Sequence, residues 1–475
     1  MFDPDIAPSG TLLGLLQRGR GDGPLHALAA PRAEALAALE QCVLRDPRLD
    51  WRVESRSLYY ARLYSDLEGP LDGIEQHLFH PGDLLAPDEH RCGLALSVLG
   101  HLAGYGRQDA LRLLRRYAAT GGCWSWALDE LAVRDDDAGL RELGPAVVGR
   151  FPAGEEGDAQ LARAVREAYE PRPWRLWAED TARPGTAARV RRATEQGSFD
   201  RWQRQLRSDG PAPGWGVAAV LEWAEEGLNR HPAVERDQPA ARLLASVAAP
   251  EDRPALLRAA TDGPSAARAA ALRHLADRRD PIALDLLEAA AADGDARVVR
   301  AAVESLERRR DQPALARARR WAGRDDALGR AAARALARCG GPEDAGLVLA
   351  ALRRTVQAGG ADAEGLDALV EGAGRLAACG TAPVLRHLYR ETSSSHLRGT
   401  AARALSAVDP GFAAGFAVEC LWDCEESTRE LAAHTAASGD VRVLAQLRRL
   451  AADPAEEAEV QTAVRGRLSS GGTAR

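Results

Sequence analysis

Four side chains able to bind a metal fall in one short stretch, HLFHPGDLLAPDEHRC: His77, His80, His90 and Cys92. The spacings H-x-x-H and H-x-C place two donors on one turn and two beyond a loop, which would meet zinc's tetrahedral demand. They follow no familiar finger spacing, and histidines in a polar loop between helices are the plainer use, so no metal is expected. A second grouping is CWSWALDELAVRDDD, where Trp126 and Asp129 lie three apart on one helical face beside Trp124. Cys420 and Cys424 in ECLWDCEES stand one helical turn apart without a second cysteine pair, and read as buried thiols. Ser393, Ser394, Ser395 and His396 have the types of a nucleophile and a base, yet no third partner completes them, and the segment reads as an N-cap turn. No catalytic residue is assigned, and no cofactor is expected.

One absence decides more than these groupings do. The chain has no lysine, so all 62 basic residues are arginine. Schiff-base chemistry, a phosphate-loop lysine and the lysine of the ordinary kinase mechanism are excluded together. Seven scattered cysteines suit reduced thiols better than a disulfide framework. The start, MFDPDIAPSG, is acidic and has no basic segment leading into an apolar core, and no run of eighteen apolar residues follows anywhere. A cytoplasmic protein without a membrane segment is expected.

The elements that must position any site are set by a repeat between Gly263 and Gly341. ARAAALRHLADRRDP, VRAAVESLERRRDQP and GRAAARALARCGGP align on Leu275, Leu306 and Leu336. Eight residues before each leucine stands Ala267, Val298 or Leu328, and between them fall Ala270-Ala271, Ala301-Ala302 and Ala331-Ala332. That spacing puts one stripe of small and branched side chains on the inner face of a helix. Asp280-Pro281, Asp311-Gln312-Pro313 and Gly340-Gly341-Pro342 stop one helix and open the next. Helix pairs recurring near every thirty residues cannot bury their apolar faces alone and must stack.

V-x-x-A-A-x-x-x-L followed by Asp-Pro and a second amphipathic helix resembles a HEAT repeat, the bacterial HEAT-like repeats named after phycobilisome lyases being nearest. The frame extends to Leu397–Leu405 and Thr428–Ala436, and ALRLLRRYA (Ala110–Ala118) matches ALARARRWA (Ala314–Ala322) across the two halves. The resemblance implies an all-α solenoid of stacked HEAT-like pairs, an armadillo-like superhelix. Residues 1–151 are expected to form an N-terminal HEAT-like segment and 152–235 an irregular junction holding Trp174, Trp177, Trp202, Trp215 and Trp223. Residues 236–468 are expected to form the regular array, and 469–475 a flexible tail. Aromatic bulk in the junction is expected to fill gaps where repeats stop matching.

In HEAT arrays the second helices line the concave side, and here they carry Arg115-Arg116, Arg319-Arg320, Arg353-Arg354 and Arg448-Arg449, with Tyr117 or Trp321 beside two of them. The expectation is an arginine and aromatic ridge facing another protein, in a scaffold or adaptor without enzymatic activity. Residues 263–341 hold 16 Arg against 11 acidic residues, so this stretch is +5 and, from a total of −7, the remainder is −12. An alternative follows from Trp124, Trp126 and Asp129, which invite comparison with the alkylpurine DNA glycosylases built from HEAT-like repeats. Those enzymes hold phosphates on a basic concave surface, whereas this chain is acidic overall. The lyase relatives imply a further alternative, a lyase or chaperone-like factor for a cofactor-bearing protein.

Overall fold

The computed structural model of the chain describes residues 6–47, 56–82, 86–196, 214–230 and 233–472. Trp202 lies outside the described residues. Every described element is helical, without a strand among the described residues, and none of these helices is long and apolar enough to cross a membrane. The chain divides into two compact units that interleave in sequence.

One unit comprises Asp209–Thr392 and Thr400–Pro410. Its three aligned segments are helices Ser265–Asp277, Ala296–Arg308 and Ala327–Cys339. The stripe is buried throughout: Leu275, Leu306, Leu336 and all six paired alanines belong to the core. Alanine at the contact lets neighbouring helices approach, and the leucine fills the space at the end of the pair. The turn aspartates act as N-caps. Asp311 accepts from the Ala314 amide at 3.2 Å and Asp326 from the Gly329 amide at 2.8 Å, each supplying an acceptor that the first helical turn lacks.

Consecutive pairs are also stitched by arginine. Arg309 donates to the Ala276 carbonyl at 3.2 Å, Arg354 to Ala322 at 2.7 Å and Arg375 to Ala337 at 2.9 Å. Each guanidinium reaches back about one repeat to carbonyls at a helix C-terminus, which have no intrahelical donor and carry the negative end of the dipole. Several donors in a planar fork make arginine better suited to this than a point-charge ammonium.

The other unit comprises Met1–Ser208, Ser393–Gly399 and Gly411–Arg475, so segments near both chain ends share one core. The same stitch recurs: Arg150 donates to Ala119 and Arg172 to Ala132, both at 2.7 Å, and Arg467 to Ala436 at 3.0 Å. The N-terminal helices are fixed by buried tyrosines, Tyr59 donating to the Arg20 carbonyl at 2.8 Å and Tyr60 to Leu16 at 3.0 Å. The two ends then meet. The Cys424 amide donates to Gly19 at 2.9 Å, Arg449 pairs with Asp66 at 2.8 Å, and Arg62 reaches Asp453 at 2.8 Å and Glu456 at 3.0 Å. Gly19 is required at this seam, because its φ of +67° disfavours other residues and a Cβ there would lie 2.3 Å from the Cys424 sulfur. Helix Ala458–Gly472 runs through residues 469–472, and 473–475 lie outside the described residues.

His101 sits close to this seam and makes the unit sensitive to acid. Burial, with the Arg134 and Arg62 guanidinium groups, pushes its imidazole down to about 4 against an ordinary 6.5, although Asp453 opposes the shift. The folded unit therefore holds the neutral ring while the unfolded chain takes up a proton. Its contribution is complete above pH 6.5 and is lost as pH falls from 6.5 toward 4. We expect about 2 kcal/mol of stability to disappear between pH 8 and pH 5 through this group. Melting curves at the two pH values for the native chain and His101→Gln check it: the variant keeps a smaller pH difference, and an equal one would place the acid sensitivity elsewhere.

Candidate binding surfaces

The four arginine pairs do not behave as pairs. In each, one member is tied within its own unit while the other stands exposed. Arg115 holds the buried Asp135 through two contacts, and Arg319 holds the buried Asp344 at 2.7 Å together with Glu343 at 2.8 Å. Arg354 caps Ala322, and Arg449 pairs with Asp66. The exposed members are Arg116, Arg320, Arg353 and Arg448. Arg116 pairs with Glu75 at the surface and lies over the Phe79 ring at 4.0 Å, and Arg353 donates to the Gly380 carbonyl at 3.0 Å.

The aromatic part of the expected ridge is core. Tyr117 is 0% and Trp321 3% exposed. Tyr117 packs edge-on against Phe79 at 5.5 Å and accepts from the Cys123 amide at 3.3 Å, while the Trp321 indole donates to Glu288 at 3.1 Å. Both follow the same rule. In A-L-x-x-x-R-R-[YW]-A the aromatic falls seven residues after the buried first alanine, close to two full helical turns, and returns to the inner face.

The histidine and cysteine stretch is not gathered into a cluster. The His77 ring bonds the Arg91 carbonyl at 3.0 Å, His80 accepts from the Gly82 amide at 3.2 Å, and His90 is exposed. Cys92 lies fully in the core against Cys123, whose thiol is pushed up by that contact and by burial. Among the described residues no three His, Cys, Asp or Glu side chains come together as a metal site. Cys420 and Cys424 are buried outside any disulfide, and Ser394 accepts from the Leu397 amide at 3.3 Å as a helix cap.

A cavity forms where the sequence shows only separated tryptophans. Helices Trp124–Arg134 and Glu155–Glu167, with the turn that follows, enclose about 740 Å³. Trp124, Trp126 and Asp129 share its lining with Trp174, Tyr169 and Glu170. Trp124 meets Trp174 edge-on at 6.4 Å and Phe151 at 5.7 Å, making an anchored back wall. The Glu170 amide donates to Asp129 at 3.1 Å and fixes the turn against the helix. Trp126 donates to Ser97 at 3.1 Å, and Ser97 to Glu130 at 2.8 Å. Tyr169, Glu167 and Glu170 escape detection in the sequence because only their turn, EAYEPRPW, brings them to face Asp129. In the junction proper the aromatics pack: Trp174 and Trp177 are buried at 5.0 Å from each other, and Trp215 and Trp223 meet edge-on at 6.3 Å.

No curated protein matches the chain. Residues 221–307 match the family of HEAT repeats, a range that takes in the first two of the three striped helices and ends before the Asp311 and Asp326 caps. Helix pairs and capped turns continue outside that match, so the chain contains HEAT repeats and its all-helical architecture is of the α-solenoid class.

Proposed function

We propose that the chain is a non-enzymatic scaffold or adaptor that binds another protein through exposed arginines on the second helices of its repeats. The observation that supports it most is the division of labour within each arginine pair. One guanidinium of each pair is held on a group of its own unit and half-buried, whereas Arg116, Arg320, Arg353 and Arg448 are exposed, Arg116 and Arg353 even while contacting Glu75 and the Gly380 carbonyl. Stacked helix pairs commonly use such extended faces for partners. Seven cysteines outside any disulfide suit a cytoplasmic setting.

The test uses Arg320→Glu with Arg353→Glu, both exposed and in one unit. Stability is expected to change by no more than about 0.5 kcal/mol. Retention of the partner recovered by nuclease-treated pull-down from the native host is expected to fall about tenfold. Unchanged retention removes this face from recognition.

A second reading, nucleic-acid binding of the glycosylase-like kind, is favoured by one observation: Trp124, Trp126 and Asp129 line a single cavity. It requires binding to alkylated duplex DNA that weakens steeply with salt.

A further inference from the structure

The cavity beside Trp126 is lined unevenly in charge. Glu89, Asp129, Glu130, Glu167 and Glu170 face it against Arg134 and Arg163. Glu130 is already engaged by Arg134 and by Ser97. Five carboxylates thus share the lining with two guanidinium groups. A cavity of this size admits a long side chain, and its acidic rim disfavours a phosphate-bearing guest.

Its apolar character is equally uneven. Of the six large hydrophobic side chains exposed among the described residues, two stand here, Tyr169 at 68% and Val133 at 63%. An exposed tyrosine at the mouth of a tryptophan-lined cavity marks a binding lip better than it does a solvated surface. Aromatic faces beside carboxylates attract a cation twice over, through the ring quadrupole and through charge. Trp124 shows the preference within the chain, since the Arg150 guanidinium lies 5.6 Å from its ring. Burial also holds the Glu130 carboxyl above its usual range even with Arg134 beside it, so a further cation nearby would favour its ionised form.

We propose that this cavity receives a lysine or arginine side chain from a basic segment of a partner protein, its cationic head held by Asp129, Glu167 and Glu170 against the rings of Trp126 and Tyr169. The proposal rests on the protein-binding reading and adds the chemistry of the partner. It places a basic peptide at this cavity, distinct from the acidic surface that Arg320 and Arg353 would meet.

The test is a display selection of short random peptides on the full chain, followed by affinity measurements with the enriched peptides made synthetically. Basic peptides are expected to enrich. Their affinity is expected to drop about tenfold on Glu167→Gln with Tyr169→Ala, both exposed positions, with the circular dichroism spectrum unchanged. Because the chain has no lysine, carbodiimide coupling of a bound lysine peptide joins the peptide's amines to this chain's carboxylates, and mapped links are expected at Asp129, Glu167 or Glu170. A selection that yields no basic peptides overturns the proposal. So do basic peptides whose affinity the variant leaves intact, or an alkylated duplex whose binding is the one lost on the variant. Retained sensitivity of the native partner to Arg320→Glu with Arg353→Glu would then leave the scaffold reading standing while this cavity is refused.

Discussion

Arg398→Ala is expected to lower the stability of its unit by about 3–5 kcal/mol, because it leaves a carboxylate buried without its charge partner. Arg398 and Asp423 are both 0% exposed and meet through two contacts, at 2.8 and 3.0 Å. The same guanidinium donates to the Gly19 carbonyl at 3.2 Å and to the Cys424 sulfur at 3.4 Å. It therefore closes a seam between residues 379 apart in sequence. Truncation removes these four contacts and leaves Asp423 without its charge partner, although the desolvation of Asp423 has already taken place. Arg442→Ala is the control, since that arginine is 66% exposed and pairs with Asp440 in solvent, and such pairs contribute about 0–1 kcal/mol. Chemical denaturation, with hydrogen exchange localised to residues 12–29 and 416–452, separates the two. Equal shifts for both variants would mean that the seam is held by apolar contact rather than by the ion pair.

Trp321→Ala is expected to destabilise the second unit by about 3–5 kcal/mol, the range for emptying a buried aromatic site. Its ring is buried beside helix Ala283–Ala290, its indole donates to Glu288, and the Arg317 guanidinium stands 5.8 Å from its centre. Arg320→Ala, one residue away and exposed, is expected to change stability by no more than about 0.5 kcal/mol. Thermal melts of the two variants decide the matter. A surface anchor would show the reverse pattern, silent in stability and large in binding. Substitution of Trp321 is accordingly a poor probe of recognition, and the exposed arginines are the positions to vary.

The contrast between these residues shows how far the repeats can be read from composition and spacing. The inward stripe of Leu275, Leu306 and Leu336 with its paired alanines is a local property, legible because a helix returns a side chain to the same face every three to four residues. The aspartate caps at Asp311 and Asp326 are legible for the same reason, each satisfying amides within three residues of itself. Burial of Tyr117 and Trp321 was implicit in that periodicity too, yet their neighbouring arginines suggested a surface. Phase along the helix, not residue type, separates Trp321 from Arg320.

Contacts between distant segments carry no such periodic trace. Nothing in the local pattern around Gly19 announces Cys424, and nothing near Asp129 announces Tyr169 and Glu170. Which arginine of each pair is used and which is left over depends on a carboxylate or carbonyl supplied 20 or more residues away, as Asp135 is for Arg115 and Ala322 for Arg354. Helix-forming stripes and caps follow from neighbours along the chain, so the amino-acid order sufficed for the α-solenoid. The seam, the aromatic and acidic cavity and the choice of exposed arginines follow from packing between segments, where desolvation of one charge demands a specific partner and only the folded chain supplies it.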